Sequence, residues 1–202
     1  MIRNLPEPIR RIAARLAELP SIGPRQAIRL AFHLINEGAN SIHGLAEDLK
    51  NLQQIKTCER CFFVHQNTGG LCSICGDPKR AHNIVGIVEK ETDLISIENT
   101  KKFNGRYLIL GFIPKTGVLE DWQKLRLQNL KSFIQKEFGG QAEEIILAFS
   151  PTANGDFHAS VITKELSPFA KKIARLGRGL PTGGEIEFAD DETLGSALDQ
   201  RR

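Results

Sequence analysis

The chain has 202 residues, of which 41% are hydrophobic and 25% are charged, as is ordinary for a globular protein with one or two cores. No apolar run approaches the roughly 20 residues of a membrane span, and the N-terminal stretch lacks the apolar core of a signal peptide, so we expect a cytoplasmic protein without a membrane segment. The net charge of +3 is uneven, with six arginines in residues 1–36 and six acids in residues 185–199. Such asymmetry indicates an anionic partner at the head or head-to-tail contact between subunits.

The first 56 residues predict a helical domain. Apolar residues at spacings of three, four and three, from Ile9 to Leu19, form one face of a first helix. A segment with two prolines and a glycine interrupts this pattern, and a second helix follows as far as Gly38. We predict a third helix from Ser41, as its N-cap, to about Ile55.

The segment "LPSIGPRQAIRLA" at 19–31 is predicted to be a helical hairpin that holds phosphate. Gly23 allows close approach or an unusual backbone angle, and Pro24 suits the first position of a helix. Free N–H groups there, with Arg25 and Arg29 one turn apart, can hold one nucleic-acid backbone. The pattern resembles a helix-hairpin-helix motif, with Ser21 where that motif has its first glycine. The alternative is a helical turn that packs against another subunit.

Four cysteines lie within residues 57–80, as two Cys-x2-Cys pairs separated by ten residues. This spacing predicts a small metal-binding insert in which Cys58, Cys61, Cys72 and Cys75 form a tetrahedral all-sulfur site. We expect one zinc ion per chain, with iron as the alternative metal. The role of the ion should be structural, because a closed site leaves no position for water. Disulfides are disfavoured in a cytoplasmic protein.

Residues 81–176 predict a three-layer α/β domain with a mostly parallel sheet. The predicted strands are "NIVGIVE", "RYLILGF", "EEIILAF" and "KKIARL". Predicted helices include 118–138, with an apolar stripe of Trp122, Leu125, Leu130, Phe133 and Ile134, and one containing "SVITKEL". A glycine-rich and acidic tail occupies 177–202.

The stretch "ILAFSPTANGDFHAS" at 146–160 has the form of an active-site loop. It is predicted as a buried strand followed by a polar loop and a helix start, and such loops often carry catalytic acids or bind phosphates. However, Asp156 is its only acid.

Together these segments resemble the RecR family of bacterial recombination mediators. The order of hairpin, four-cysteine site, α/β domain and glycine-rich tail is specific, and the most specific parts are "LPSIGPRQAIRLAFHL", the cysteine cluster with "CGDPKR", and "RLGRGLPTGGEIEFADDETLGSAL". The middle is looser, because this chain reads "YLILGFIPKTG" where the family usually has Tyr-His-Val-Leu-Gly-Gly and a Ser-Pro-Leu turn.

The resemblance implies that the α/β domain is of Toprim type, whose enzymes hold magnesium with a glutamate and an Asp-x-Asp pair. Glu89 matches the glutamate, whereas Ser150 and Thr152 occupy the aspartate positions. The site therefore has the architecture without the charge, and we expect no enzymatic activity. Glu89, Asp93 and Asp156 could still hold a weak cation or a partner's basic side chain, or be solvated loop acids.

The resemblance also implies a function in recombinational DNA repair. RecR proteins act with RecO, and in some contexts RecF, to help load RecA onto single-stranded DNA coated with single-strand-binding protein. This predicts sequence-independent binding of single- and double-stranded DNA through Arg25 and Arg29, and a homotetrameric ring or homodimer joined partly by the tail. The alternatives are a Toprim metal-dependent nuclease or topoisomerase-like enzyme and a ring scaffold whose partner holds DNA. The only tyrosine, Tyr107, lies in a predicted core strand and makes a topoisomerase nucleophile implausible.

Overall fold

A computed structural model describes residues 5–199 and residue 201. The chain divides into two compact units between Ile55 and Lys56.

The N-terminal unit consists of the three predicted helices. Helix α1 spans Glu7–Ala17, α2 spans Pro24–Glu37 and α3 spans Ala39–Asn51, followed by a 3-10 turn at Leu52–Gln54. The buried residues of α1 and α2 are all alanines, namely Ala13, Ala27 and Ala31. Small side chains at the contact let the two helix backbones approach closely.

The prediction that α3 begins after Ser41 was wrong, because Gly38 alone joins α2 to α3. Gly38 has a φ of +90°, a conformation that residues with a Cβ rarely adopt, and α3 starts at the next residue. The chain therefore reverses in one residue, and Ser41 lies inside the first turn of the helix.

The second unit begins with the cysteine-containing segment. Strands β1 (Lys56–Thr57) and β2 (Val64–His65) pair antiparallel, and the short helix α4 spans Ser73–Gly76. These elements place the first cysteine pair beside β1 and β2 and the second pair at α4.

A four-stranded parallel sheet follows, as the sequence predicted. Its strands are β3 (Ile84–Val88), β4 (Arg106–Ile109), β5 (Ala142–Leu147) and β6 (Ala170–Arg175), in the order β4-β3-β5-β6. Strand β3 and the second half of β5 are strongly apolar, as expected where both faces of a sheet are covered, whereas Glu143 and Glu144 lie in the first half of β5. Strand β4 lies at one edge.

Helices α5 (Glu91–Asn99), α6 (Asp121–Glu137) and α7 (Ala153–Leu166) form the outer layers. Residues of α6 and α7 pack with one face of the sheet, around Ile87 and Ile145. Residues of α5 and the four cysteines pack with the opposite face, around Val88 and Tyr107. This arrangement confirms the predicted three-layer α/β/α domain.

The apolar stripe predicted for α6 was partly wrong. Trp122 and Leu125 are 42% and 60% exposed, whereas Leu127 is buried beside the predicted Leu130 and Ile134. The fully buried Gln123 also faces inward, because its amide donates to the carbonyls of residues 110–112 after β4, at 3.1–3.5 Å. The buried face of α6 therefore includes the polar Gln123 and excludes the apolar Trp122 and Leu125.

The tail contains a helix that the sequence analysis did not predict, α8 (Asp191–Asp199). Asp190 begins it as an N-cap, since its carboxylate accepts hydrogen bonds from the N–H and hydroxyl of Thr193 at 2.9 and 2.8 Å. Within residues 5–199, none of the helices is long and apolar enough to cross a membrane.

Candidate functional site

The four cysteines converge on one point. The sulfurs of Cys58, Cys61, Cys72 and Cys75 all lie within 4.8 Å of one another, and each residue is buried. Sulfurs at this separation can all reach a single tetrahedral ion, since a zinc–sulfur bond is about 2.3 Å long. The cluster therefore fits a metal ion of the kind that four thiolates hold.

Backbone N–H groups point at three of these sulfurs. Phe63 donates to Cys61, Cys72 donates to Cys58, and Cys75 donates to Cys72, each at 3.4 Å. Phe62 adopts a left-handed φ of +65° that closes the turn after Cys61. Such bonds stabilise negative charge on sulfur, which a metal-binding thiolate carries.

The four thiols are close enough to shift the pKa values of one another. The pKa of the Cys58 thiol lies below its usual range, because it accepts hydrogen bonds from the thiols of Cys61, then Cys72 and Cys75. The pKa of Cys61 is raised by its hydrogen bond with Cys58 and by the other two thiols. A dication at the centre would replace these hydrogens.

The histidine between the cysteine pairs, His65, is not one of this cluster. It lies in β2, and its Nδ1 accepts a hydrogen bond from the N–H of Asn67 at 3.1 Å. The residue is buried.

The cysteine segment is attached to the edge of the sheet by contacts that spacing could not reveal. The N–H of Ile109 in β4 donates to the carbonyl of Cys61 at 2.9 Å. Arg126 of α6 stacks on the ring of Phe62 at 4.6 Å and donates to the carbonyl of Ile109 at 2.8 Å. The first cysteine pair therefore sits against β4 and α6.

The predicted phosphate-binding hairpin has an open turn. Ser21 takes a φ of +66°, the left-handed conformation for which glycine is favoured. Gly23 has an ordinary φ of −80° as the N-cap of α2, contrary to the unusual angle considered for it, but no atom lies within 4 Å of a Cβ built there. The free N–H groups at the start of α2 are therefore accessible.

Arg25 and Arg29 extend from the first two turns of α2. Both side chains are exposed, and neither forms an ion pair within the described part of the chain. By contrast, Arg11 and Arg15 of α1 form ion pairs with Glu7 and Glu18, respectively, each at 3.7 Å. Both predicted DNA-binding arginines are thus available to an external anion.

Glu89, the expected cation ligand after β3, is held by a histidine. Its carboxylate lies 3.3 Å from Nδ1 of His158, and both residues are buried. The other ring nitrogen of His158 lies 3.1 Å from the carbonyl of Pro114, in the loop after β4. His158 therefore links Glu89 after β3 to the loop after β4.

The other two candidate acids also have partners within the chain. Asp156 lies in the first turn of α7 and accepts hydrogen bonds from Arg175 and Arg178. Arg175, followed by Arg178, holds the pKa of this carboxyl below its usual range. Asp93 caps α5 by accepting from the N–H of Lys90 at 3.1 Å.

Ser150 and Thr152 occupy the positions of the aspartate pair, and Thr152 is the N-cap of α7. The hydroxyl of Thr152 accepts from the N–H of Gly155 at 3.1 Å and so begins α7. A Cβ on Gly155 would lie 2.0 Å from the carbonyl oxygen of Ser150, so only glycine fits there. Because α7 already starts at Ala153, Asp156 is a helical residue and not a loop acid.

Comparison with known families agrees with this architecture along the chain. Residues 9–52 match the family model of the RecR helix-hairpin-helix, residues 83–176 match the Toprim domain, and residues 179–202 match the RecR C-terminal model. The protein named Recombination protein RecR from Roseiflexus castenholzii is 37% identical over 204 residues, covering 100% of this chain and 96% of the relative. The chain belongs to the RecR family. It is also similar to the proteins of that name from Chloroflexus aurantiacus, 36% identical over 96% of this chain and 94% of the relative, and Myxococcus xanthus, 35% identical over 98% of each.

Replacing Ser21 with glycine should stabilise the hairpin. A left-handed conformation costs a non-glycine residue roughly 1–2 kcal/mol, and the greater freedom of glycine in the unfolded chain offsets part of the gain. We expect Ser21→Gly to raise the free energy of unfolding by up to about 1 kcal/mol, measured by urea denaturation. Ser41→Gly, inside α3, is the matched control and should destabilise. Equal losses in both variants would contradict the left-handed assignment.

Replacing Cys72 with serine should abolish metal binding. The sulfur of Cys72 accepts one backbone N–H bond and lies 3.5 Å from that of Cys61, so its loss opens the site. Elemental analysis should find about one metal ion per parent chain and far less in Cys72→Ser. The variant should also unfold at lower temperature, because binding energy at such sites is folding energy. A metal-free parent that remains folded would refute the metal site.

Proposed function

We propose that this chain is a DNA-binding recombination mediator without enzymatic activity. The observation that carries the proposal is the exposed pair Arg25 and Arg29, without acidic partners in the described residues, beside the open turn at Gly23. Arginine side chains and free N–H groups at a helix start are the groups that hold phosphates. Because phosphates carry no base identity, binding to single- and double-stranded DNA should be independent of sequence.

The chemistry at the carboxyl edge of the sheet supports a non-enzymatic role. Hard divalent cations require several oxygen ligands, and carboxylates supply most of them. Here Glu89 faces His158, and Asp156 faces two arginines. These acids therefore bind side chains of the same protein. The alternative function, a Toprim metal-dependent DNA-processing enzyme, would require acids at this edge as metal ligands.

We further propose that the four cysteines hold zinc in a structural role. Four sulfur ligands complete a tetrahedral shell and leave no position for water or substrate. The burial of all four cysteines agrees with a closed site. The zinc would stabilise the segment between β1 and α4 and supply no reaction step.

Assembly into a ring or dimer is supported by unburied apolar surface in the N-terminal unit. Helix α3 has no buried residue. Apolar side chains of the three helices line a groove of about 370 Å³, which includes Ile12, Ile35, Leu45 and Leu49. Each of these four is at least 40% exposed, and a second copy of the chain would cover them. In the tail, Phe188 is 80% exposed and is available for a further subunit contact.

The cellular partners in this proposal follow from family membership. As a mediator, the chain would act with RecO, and in some contexts RecF, to help RecA load onto single-stranded DNA coated with single-strand-binding protein. Relatives that share the whole chain are named as recombination proteins, which supports this assignment.

We expect no cleavage, relaxation or primer synthesis with Mg²⁺ or Mn²⁺. The reason is that Ser150 and Thr152 cannot replace two carboxylates at a divalent cation. A supercoiled plasmid incubated with the protein and either metal should remain supercoiled on a gel. Nicking that Glu89→Gln abolishes, but Glu165→Gln on the exposed face of α7 does not, would support the enzyme instead.

Removing both hairpin arginines should weaken DNA binding steeply. Arg25→Ala/Arg29→Ala should lower affinity, and the slope of log affinity against log salt should flatten by about one unit for each lost phosphate contact. Fluorescence anisotropy with labelled DNA at several salt concentrations measures both quantities. The fold should survive, because both side chains are exposed and the buried side of α2 is made by Ala27 and Ala31.

The matched control is Arg11→Ala/Arg15→Ala, which removes the same charge from the same unit but from residues paired with glutamates. It should affect affinity less. Size measurement and metal content should confirm that each variant remains assembled and folded. Unchanged affinity and slope in Arg25→Ala/Arg29→Ala would make the hairpin a packing element.

A further inference from the structure

The first residue of β4, Arg106, is a buried arginine that grips the second cysteine pair. Its side chain is almost completely removed from solvent, with the residue only 3% exposed. One terminal nitrogen, Nη1, donates to the carbonyls of Ile74 and Cys75 at 2.9 and 2.7 Å. The other, Nη2, donates to the carbonyl of Asp77 at 3.0 Å and contacts Nδ1 of His82 at 3.1 Å.

These carbonyls belong to the end of α4 and the residue after it. Helix α4 spans only Ser73–Gly76, so it has no long series of internal hydrogen bonds to hold its last carbonyls. Arg106 binds three of them with one rigid planar group. The backbone that carries Cys75 is thereby fixed to the start of an edge strand of the sheet.

The charge of Arg106 is not paired with a carboxylate by a direct contact. Its terminal nitrogens bond three backbone carbonyls and contact His82, and it forms no ion pair with an acid in the described part of the chain. An unbalanced buried charge is strongly unfavourable, so the arginine requires negative charge nearby.

A metal centre of four thiolates provides that charge. Four thiolates around one divalent cation leave a net negative charge, which is itself buried here beside β4. The two groups thus compensate each other.

We propose that Arg106 is the positioning residue and counter-charge of the four-cysteine metal centre, which it retains by orienting the backbone at Cys75. This inference rests on the proposed metal site. Outer-shell partners of metal ligands commonly change metal affinity by about 10- to 100-fold when they are removed. Arg106 connects the metal site to the sheet, because its backbone begins β4 and its side chain binds the carbonyl of Cys75.

A neighbouring arginine provides a matched control. Arg80 is also largely buried, but it forms an ion pair with Glu98 and donates to the carbonyl of Gly105 at 2.9 Å. Its terminal nitrogens have no hydrogen bond to a carbonyl of the cysteine segment. Loss of Arg80 should therefore cost stability without acting on the metal.

The experiment measures zinc release from the full-length chain to excess chelator. The parent, Arg106→Met, Arg106→Lys and Arg80→Met are loaded with zinc, and the metal content of each is determined first. We expect Arg106→Met to release zinc at least about 10-fold faster than the parent. Arg106→Lys should be intermediate, because lysine keeps the charge but cannot bond three carbonyls with fixed geometry. Arg80→Met should release zinc at the parental rate even if it unfolds at lower temperature.

A second readout is the absorption spectrum of the cobalt-substituted protein, which reports the geometry of the sulfur ligands. The thiolate-to-cobalt bands should shift in Arg106→Met but not in Arg80→Met. Parental release and spectrum in a folded Arg106→Met would overturn the proposal while leaving the metal site intact. If Arg106→Met does not fold, Arg106→Lys decides, since parental release from it overturns the proposal and faster release supports it. A parent that binds no zinc would overturn both the metal site and this inference.

Discussion

The packing of four cysteines against an edge strand is the interaction on which the α/β unit depends. An edge strand presents unpaired N–H and carbonyl groups, and an uncovered edge favours aggregation. Here the cysteine segment covers part of β4, because Cys61 accepts from Ile109 and Arg106 reaches from β4 to the carbonyl of Cys75. The cysteine cluster and the sheet share one buried hydrophobic cluster, which also contains Leu94 of α5. Order in the cysteine segment and order in the sheet edge are therefore linked.

The carboxyl edge of the same sheet has the arrangement of a Toprim active site, but its acids form contacts within the protein. Parallel pairing of β3 with β5 brings the residues after both strands to one edge, as in enzymes that bind cations there. In this chain the acids at that edge meet histidine and arginine side chains. Asp156 binds Arg178, which also donates to Glu192 of α8 at 3.0 Å. Asp156, in the first turn of α7, thus joins this edge of the sheet to the C-terminal segment through Arg178.

The N-terminal unit has a different balance of forces. Its helices bury mostly alanine, and several large apolar side chains remain exposed, including Phe32 and Leu52. A three-helix unit with so little buried apolar volume gains stability when another surface covers it. The arginines of the hairpin lie on exposed positions of α2, so a contact at the apolar groove and a contact with phosphate can use different residues of one unit.

The sequence by itself determined the fold class, the order of the segments and the chemistry of the cysteine cluster, because these depend on local periodicity and short spacing. Two Cys-x2-Cys pairs predict convergent sulfurs, and apolar strands that alternate with helices predict a parallel sheet. Tertiary structure alone decided the partners of buried polar groups. His158 meets Glu89 across 69 positions of sequence, and Arg106 meets Cys75 across 31. Gln123 of α6 donates to the carbonyl of Phe112 in the loop after β4. No local pattern encodes such pairs, because a buried charge or amide selects its partner only after packing has brought distant segments together.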